Sequence, residues 1–118
     1  MQQSIDQLIE IVKKFCEDRD WDQFHNPKDL AIGLSTESNE LLDLFRFKSE
    51  EQMHEMLNDP EKKERISEEL ADIFFFLLRF SQMYDFDMAD GLLHKIQKNN
   101  QKYPIEKAKG KNEKYTEY

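Results

Sequence analysis

The sequence predicts an all-α fold, a bundle of four or five helices, on three observations. Apolar residues recur three and four apart between charges, the helical period. The 118 residues include only 3 Gly and 3 Pro, too few for the turns of an all-β or loop-rich chain. Capping residues also stand just before the successive stretches read as helices.

The elements follow in order. Ser4-Ile5-Asp6-Gln7 spells a capping box, and Ile5, Leu8, Ile9, Val12, Phe15 and Cys16 form the apolar stripe of a helix reaching about Arg19. Asp20 to His25 has no clear period and reads as a loop. Asn26-Pro27 supplies an N-cap with Pro at the first helical position. The helix it opens should reach about Phe47, with Leu30, Leu34, Leu41, Leu44 and Phe45 inward. Ser49 can start a short helix in the polar stretch 48–58. Asp59-Pro60 opens a long helix to about Tyr84, and Asp87 opens another that Pro104 ends just beyond Tyr103. The tail 105–118 is expected to be irregular, and its lysines 107, 109, 111 and 114 read either as a solvated terminus or as a lid over a polyphosphate.

Composition bounds the function. One domain over 1–118 is expected at this length. Nine Phe, four Tyr and one Trp are too many for a disordered chain. A single Cys excludes a disulfide framework or Cys-rich zinc site, and Cys16, on an apolar stripe, reads as core. The net charge of −8 repels nucleic-acid backbone. The longest apolar run, Ile73 to Leu78, is too short to span a membrane, and no basic-then-apolar leader precedes the domain, so a cytoplasmic location is expected. That run is apolar on every side and needs cover on every side. A second copy of the chain would supply it, so a homo-oligomer is expected, the alternative being a thick central helix in a monomer.

Two carboxylate pairs stand out, Glu37 with Glu40 and Glu69 with Asp72, each spaced i, i+3 on one helix face. Glu61 and Glu64 share that spacing but lie among Lys62, Lys63 and Arg65, a solvated face. Glu37 falls in the inward row of leucines, and Asp72 adjoins Ile73. Buried carboxylates need a counter-charge, and no matching set of Lys or Arg shares these faces. A divalent cation would meet the need, and oxygen donors without clustered Cys or His favour Mg2+, with Mn2+ as substitute. Alternatively, the pairs never meet and are two semi-exposed faces. Glu51-x-x-His54, in a polar stretch, is a poor basis for a di-iron site.

The order Glu37-Ser-Asn-Glu40 then Glu69-Leu-Ala-Asp72 resembles the E-x-x-E and E-x-x-D signature of the MazG-like all-α nucleoside triphosphate pyrophosphohydrolases. Arg19-Asp-Trp-Asp-Gln-Phe-His25, Lys95-Ile-Gln-Lys-Asn99, Lys102-Tyr-Pro104 and Lys114-Tyr-Thr-Glu117 are similar to the dCTP pyrophosphatase branch. The resemblance implies dimers or dimers of dimers, and Mg2+-dependent cleavage of a nucleoside triphosphate to monophosphate and pyrophosphate. It implies that Glu37, Glu40, Glu69 and Asp72 hold metal; a carboxylate not wholly used by metal, Glu37 or Glu40, is then expected to accept the water's proton. Trp21 would pack on the base, and Lys95 and Asn99 would reach phosphates or sugar.

Three departures bear on the base. The branch has His where this chain has Val12, a second Trp where it has Phe47, and Tyr where it has Phe76. Phe47 can still stack, but Phe76 has no hydroxyl to donate. The reaction therefore carries over more firmly than the cytosine preference, and a related pyrophosphohydrolase for another base is a competing reading. A third reading is a non-catalytic helical module that dimerises through its apolar helix.

Overall fold

The computed structural model describes residues 2–117. Among them are six α-helices: α1 (Ile5–Asp18), α2 (Pro27–Phe45), α3 (Glu50–Asn58), α4 (Pro60–Tyr84), α5 (Met88–Lys102) and α6 (Ile105–Ala108), with no strand. The helix starts are those the capping residues foretell. Ser4 and Ser49 form full capping boxes with Gln7 and Gln52. The Asn26, Asp59 and Asp87 side chains accept backbone N–H bonds at the starts of α2, α4 and α5. α2 stops two residues short of the expected Phe47. Arg46 leaves the helical region, and Phe47 turns the chain with φ +64.

The chain divides into two compact units, Met1–Asp85 and Phe86–Tyr118. Within the first, α2 and α4 make the broadest contact, and α1 and α3 also lie against α4. Val12, Cys16 and Leu78 form the centre of the core, with Leu8, Ile9 and Phe75 packed around it. Burial raises the Cys16 thiol pKa, so this cysteine packs rather than reacts. Ring edges extend the core, Phe15 meeting Phe75 at 5.9 Å and Phe75 meeting Phe76 at 5.4 Å.

In the second unit, the stretch expected to be irregular carries α6 and a 3-10 turn, Tyr115–Glu117. Pro104, at φ −57, is pre-set to start a helix, and Gly110, at φ +76, takes the left-handed position beyond its end. The tail is tied back where Tyr115 meets the Tyr103 ring edge-on at 5.7 Å and Lys102 lies over the Tyr115 ring. α6 also takes the helix count to six, one above the expected range. No helix among the described residues is long and apolar enough to cross a membrane.

Candidate active site

Two contacts fix how α2 and α4 face each other. Gly33 meets the Phe76 ring, and one turn further along α2 Glu37 meets Glu69. Residue numbers rise on one helix as they fall on the other, so the two run antiparallel. The carboxylate pairs are thereby brought together across the groove. Oxygens of Glu37, Glu40 and Glu69 all lie within 4.8 Å of one another. The semi-exposed faces that never meet are thus excluded for these three. Asp72, one turn beyond Glu69 on α4, is exposed and stands outside that trio, although its charge acts on both Glu37 and Glu69.

The electrostatics are those of crowded, partly buried carboxylates. Glu37 is pushed up to about 7, first by burial and then by the Glu40 carboxyl, with Asp72 and Glu69 adding to it. Glu69 is raised as well, by burial first and then by Glu40. Glu37 Oε2 and Glu69 Oε2 are buried and accept no hydrogen bond. Buried carboxylate oxygens without donors are the arrangement a hard cation resolves, and the all-oxygen donor set suits Mg2+ or Mn2+ in size and hardness. The residues therefore fit such an ion: Glu37, Glu40 and Glu69 would hold it, with Asp72 one turn away.

Trp21 lies in the loop between α1 and α2. Its ring is 37% exposed, with edge-on contacts to Phe15 at 5.5 Å and His25 at 6.2 Å. One side is anchored and part of the ring stays open to a ligand. Phe76 is half-buried, its ring seated on Gly33 beside Phe75. Val12 is buried in the core. Phe47 is 87% exposed, and the Arg46 guanidinium lies over its ring at 4.5 Å. Lys95 and Asn99 share a face of α5 in the second unit, Lys95 exposed and Asn99 half-buried.

Two residues escaped the reading of the sequence. Arg79, on α4, is only 1% exposed, and its guanidinium donates to Asp22 and Gln82 and, at 2.9 Å, to His25 Nδ1. Asp22 and His25 bracket the 3-10 turn that follows Trp21, so Arg79 fastens that loop to the carboxylate-bearing helix. Burial, and next the Arg79 charge, lower the His25 pKa and keep the ring neutral as an acceptor. The signal was an arginine between the apolar run 73–78 and Phe80, where an unpaired charge would cost several kcal/mol. Gly33 is the other. A Cβ there would lie 2.4 Å from Phe76 Cε1. The signal was a glycine in a helix interior, which costs about 1 kcal/mol against Ala and so points to a packing reason.

With fold and site in view, the class is settled by comparison. Residues 32–118 match the MazG-like family, and the chain belongs to it. It is 29% identical over 114 residues to dCTP pyrophosphatase 1 of Mus musculus, covering 97% of this chain and 67% of the mouse protein. Identity to dCTP pyrophosphatase 1 of Bos taurus is 30%, covering 97% and 68%. The crystal structure of a pyrophosphatase from Archaeoglobus fulgidus is similar in fold, with a TM-score of 0.80 and 30% identity over 88% of this chain and 95% of that one.

Proposed function

We propose that the protein hydrolyses a (deoxy)nucleoside triphosphate to the monophosphate and pyrophosphate with Mg2+, Mn2+ serving as substitute. The substrate is dCTP or a modified cytosine nucleotide, and the role is clearing the nucleotide pool. The observation that carries this reading is the convergence of Glu37, Glu40 and Glu69 with two buried carboxylate oxygens left without donors. Family membership and the two dCTP pyrophosphatase relatives support it. The chain is read as one MazG-like domain, since the family match spans both compact units.

The reaction joins a water oxygen to the α or the β phosphorus and breaks that phosphorus's bond to the oxygen bridging the two; the bonding pair leaves with pyrophosphate in the first case and with the monophosphate in the second. Bound Mg2+ supplies charge neutralisation on the phosphate oxygens and a lowered pKa for the attacking water. Glu37 or Glu40 takes the water's proton on a carboxylate oxygen. Trp21 offers its open ring to the base, and Arg79 holds that ring's loop in place. Lys95 and Asn99 keep the phosphate- or sugar-binding role that the family resemblance gives them.

One observation favours a second reading, the same reaction on a different base. Phe76 sits on Gly33 with no hydroxyl to offer, and Val12 is packed in the core. A site without those polar contacts loses discrimination steeply. Pyrophosphate release from a panel of deoxy- and ribonucleoside triphosphates decides between the readings. Under the first, dCTP or its modified forms lead the panel; under the second, dUTP or another base does. Glu40→Gln and Asp72→Asn, folded by circular dichroism, should each lower turnover by about a hundredfold or more. Unchanged turnover in both would overturn the metal-site assignment.

A further inference from the structure

A second charged feature adjoins the carboxylates, and none of the residue roles above draws on it. Where α2 ends and α4 begins lies a cavity of about 290 Å3, lined by Arg46, Lys48, Lys62 and Arg65 with Asp43 and the buried Met56. Asp43 follows Glu40 by three residues on α2, and Arg65 precedes Glu69 by four on α4. The cavity is thus one helical turn, about 5 Å of rise, from the acidic trio along both helices.

Its charge runs against the composition. The chain carries 25 acidic and 17 basic residues, yet four basic residues, all exposed, line this one hollow. Among the described residues, ion pairs join Lys13 to Glu17, Lys14 to Asp18, Arg79 to Asp22 and His94 to Asp90, and none takes in the four. The Arg46 guanidinium lies over the face of the Phe47 ring, a stacking that uses none of its N–H donors. Two guanidinium forks and two ammonium groups match a multiply charged tetrahedral oxyanion. The volume stands at the lower end of ligand cavities, about 300–1,000 Å3, so the occupant is small. A field of −8 repels an extended polyanion but not a compact group seated among four cations.

We propose that this cavity is an oxyanion site for a phosphate or pyrophosphate group. The group comes from one of two sources. It belongs to the outer phosphates of the nucleotide held at the acidic trio, a case that rests on the proposed activity, or it is free pyrophosphate, a case that does not.

Titration calorimetry of the full chain with inorganic pyrophosphate, in EDTA so that metal cannot mediate binding, tests the site. The wild type should bind, K62Q/R65Q should bind about tenfold more weakly or worse, and K62R/R65K should stay within about threefold of wild type. No pyrophosphate binding by the wild type, or equal binding by K62Q/R65Q, overturns the proposal. If K62Q/R65Q fails to fold, R46Q/K48Q, outside every helix, makes the same comparison. Kinetics with metal then name the source. A KM raised about tenfold at near-constant kcat assigns the site to the substrate's outer phosphates. An unchanged KM with lost inhibition by pyrophosphate assigns it to the free anion. Should the chain turn over no triphosphate at all, the metal-free titration still decides whether the site exists.

Discussion

At Glu37, the carboxyl proposed to hold metal, the fold raises proton affinity above that of the same side chain in water. Its pKa, raised from 4.5 to about 7, means that the metal-free folded state binds a proton the unfolded chain releases. That contribution to stability is fully present below about pH 4.5 and is lost as pH rises through about 7. Glu69 is shifted in the same direction. At alkaline pH the metal-free site therefore holds repelling charges, which a cation would relieve and a proton no longer does. The thermal midpoint of the metal-free protein should fall between pH 5 and pH 8, and the rise on adding Mg2+ should be larger at pH 8 than at pH 5.5. Scanning calorimetry at both pH values checks this, and equal Mg2+ shifts would contradict it. Glu37→Gln, which removes one of the charges, should raise the metal-free midpoint at pH 8 and shrink the Mg2+ response.

At the scale of elements, the site depends on how closely α2 approaches α4. Gly33 and Phe76 lie at that approach, one turn before the Glu37–Glu69 meeting along α2. In an open helix Gly→Ala would stabilise by about 0.5–1 kcal/mol. Here the new methyl, 2.4 Å from the Phe76 ring, must move a ring that Phe75 already confines. Gly33→Ala should therefore destabilise by about 1–3 kcal/mol and weaken the Mg2+-induced rise by spreading the carboxylates. Adding Phe76→Leu should restore most of both, because the smaller side chain leaves room. Urea denaturation of the single and double variants measures the coupling, and strictly additive effects would refute it. Arg79 acts at the same scale, joining the Trp21 loop to α4.

For the whole molecule, the outer apolar surface sets the expectation. Leu42 on α2 and Leu70 and Phe74 on α4 stay 65%, 52% and 39% exposed. Together with the apolar run 73–78, this supports assembly as a homodimer or homotetramer. Analytical ultracentrifugation should find no stable monomer at micromolar concentration, and Leu70→Glu with Phe74→Glu should shift the population towards monomer. A wild-type monomer at all concentrations would contradict the assembly.

Helix starts, helix class and the two acidic pairs were legible in the sequence, because caps and periodicity are local: Ser4, Asn26, Ser49, Asp59 and Asp87 each act within one turn of themselves. The MazG-like resemblance was legible for a related reason, since its motifs keep their spacing along the chain. The tail misled because one turn of helix after Pro104 leaves too short a pattern to detect. The meeting of Glu37, Glu40 and Glu69, the seating of Phe76 on Gly33 and the fastening of the Trp21 loop by Arg79 were decided by tertiary structure alone. Each joins segments separated by 29 positions or more, and such pairings depend on how helices pack, which no single segment encodes.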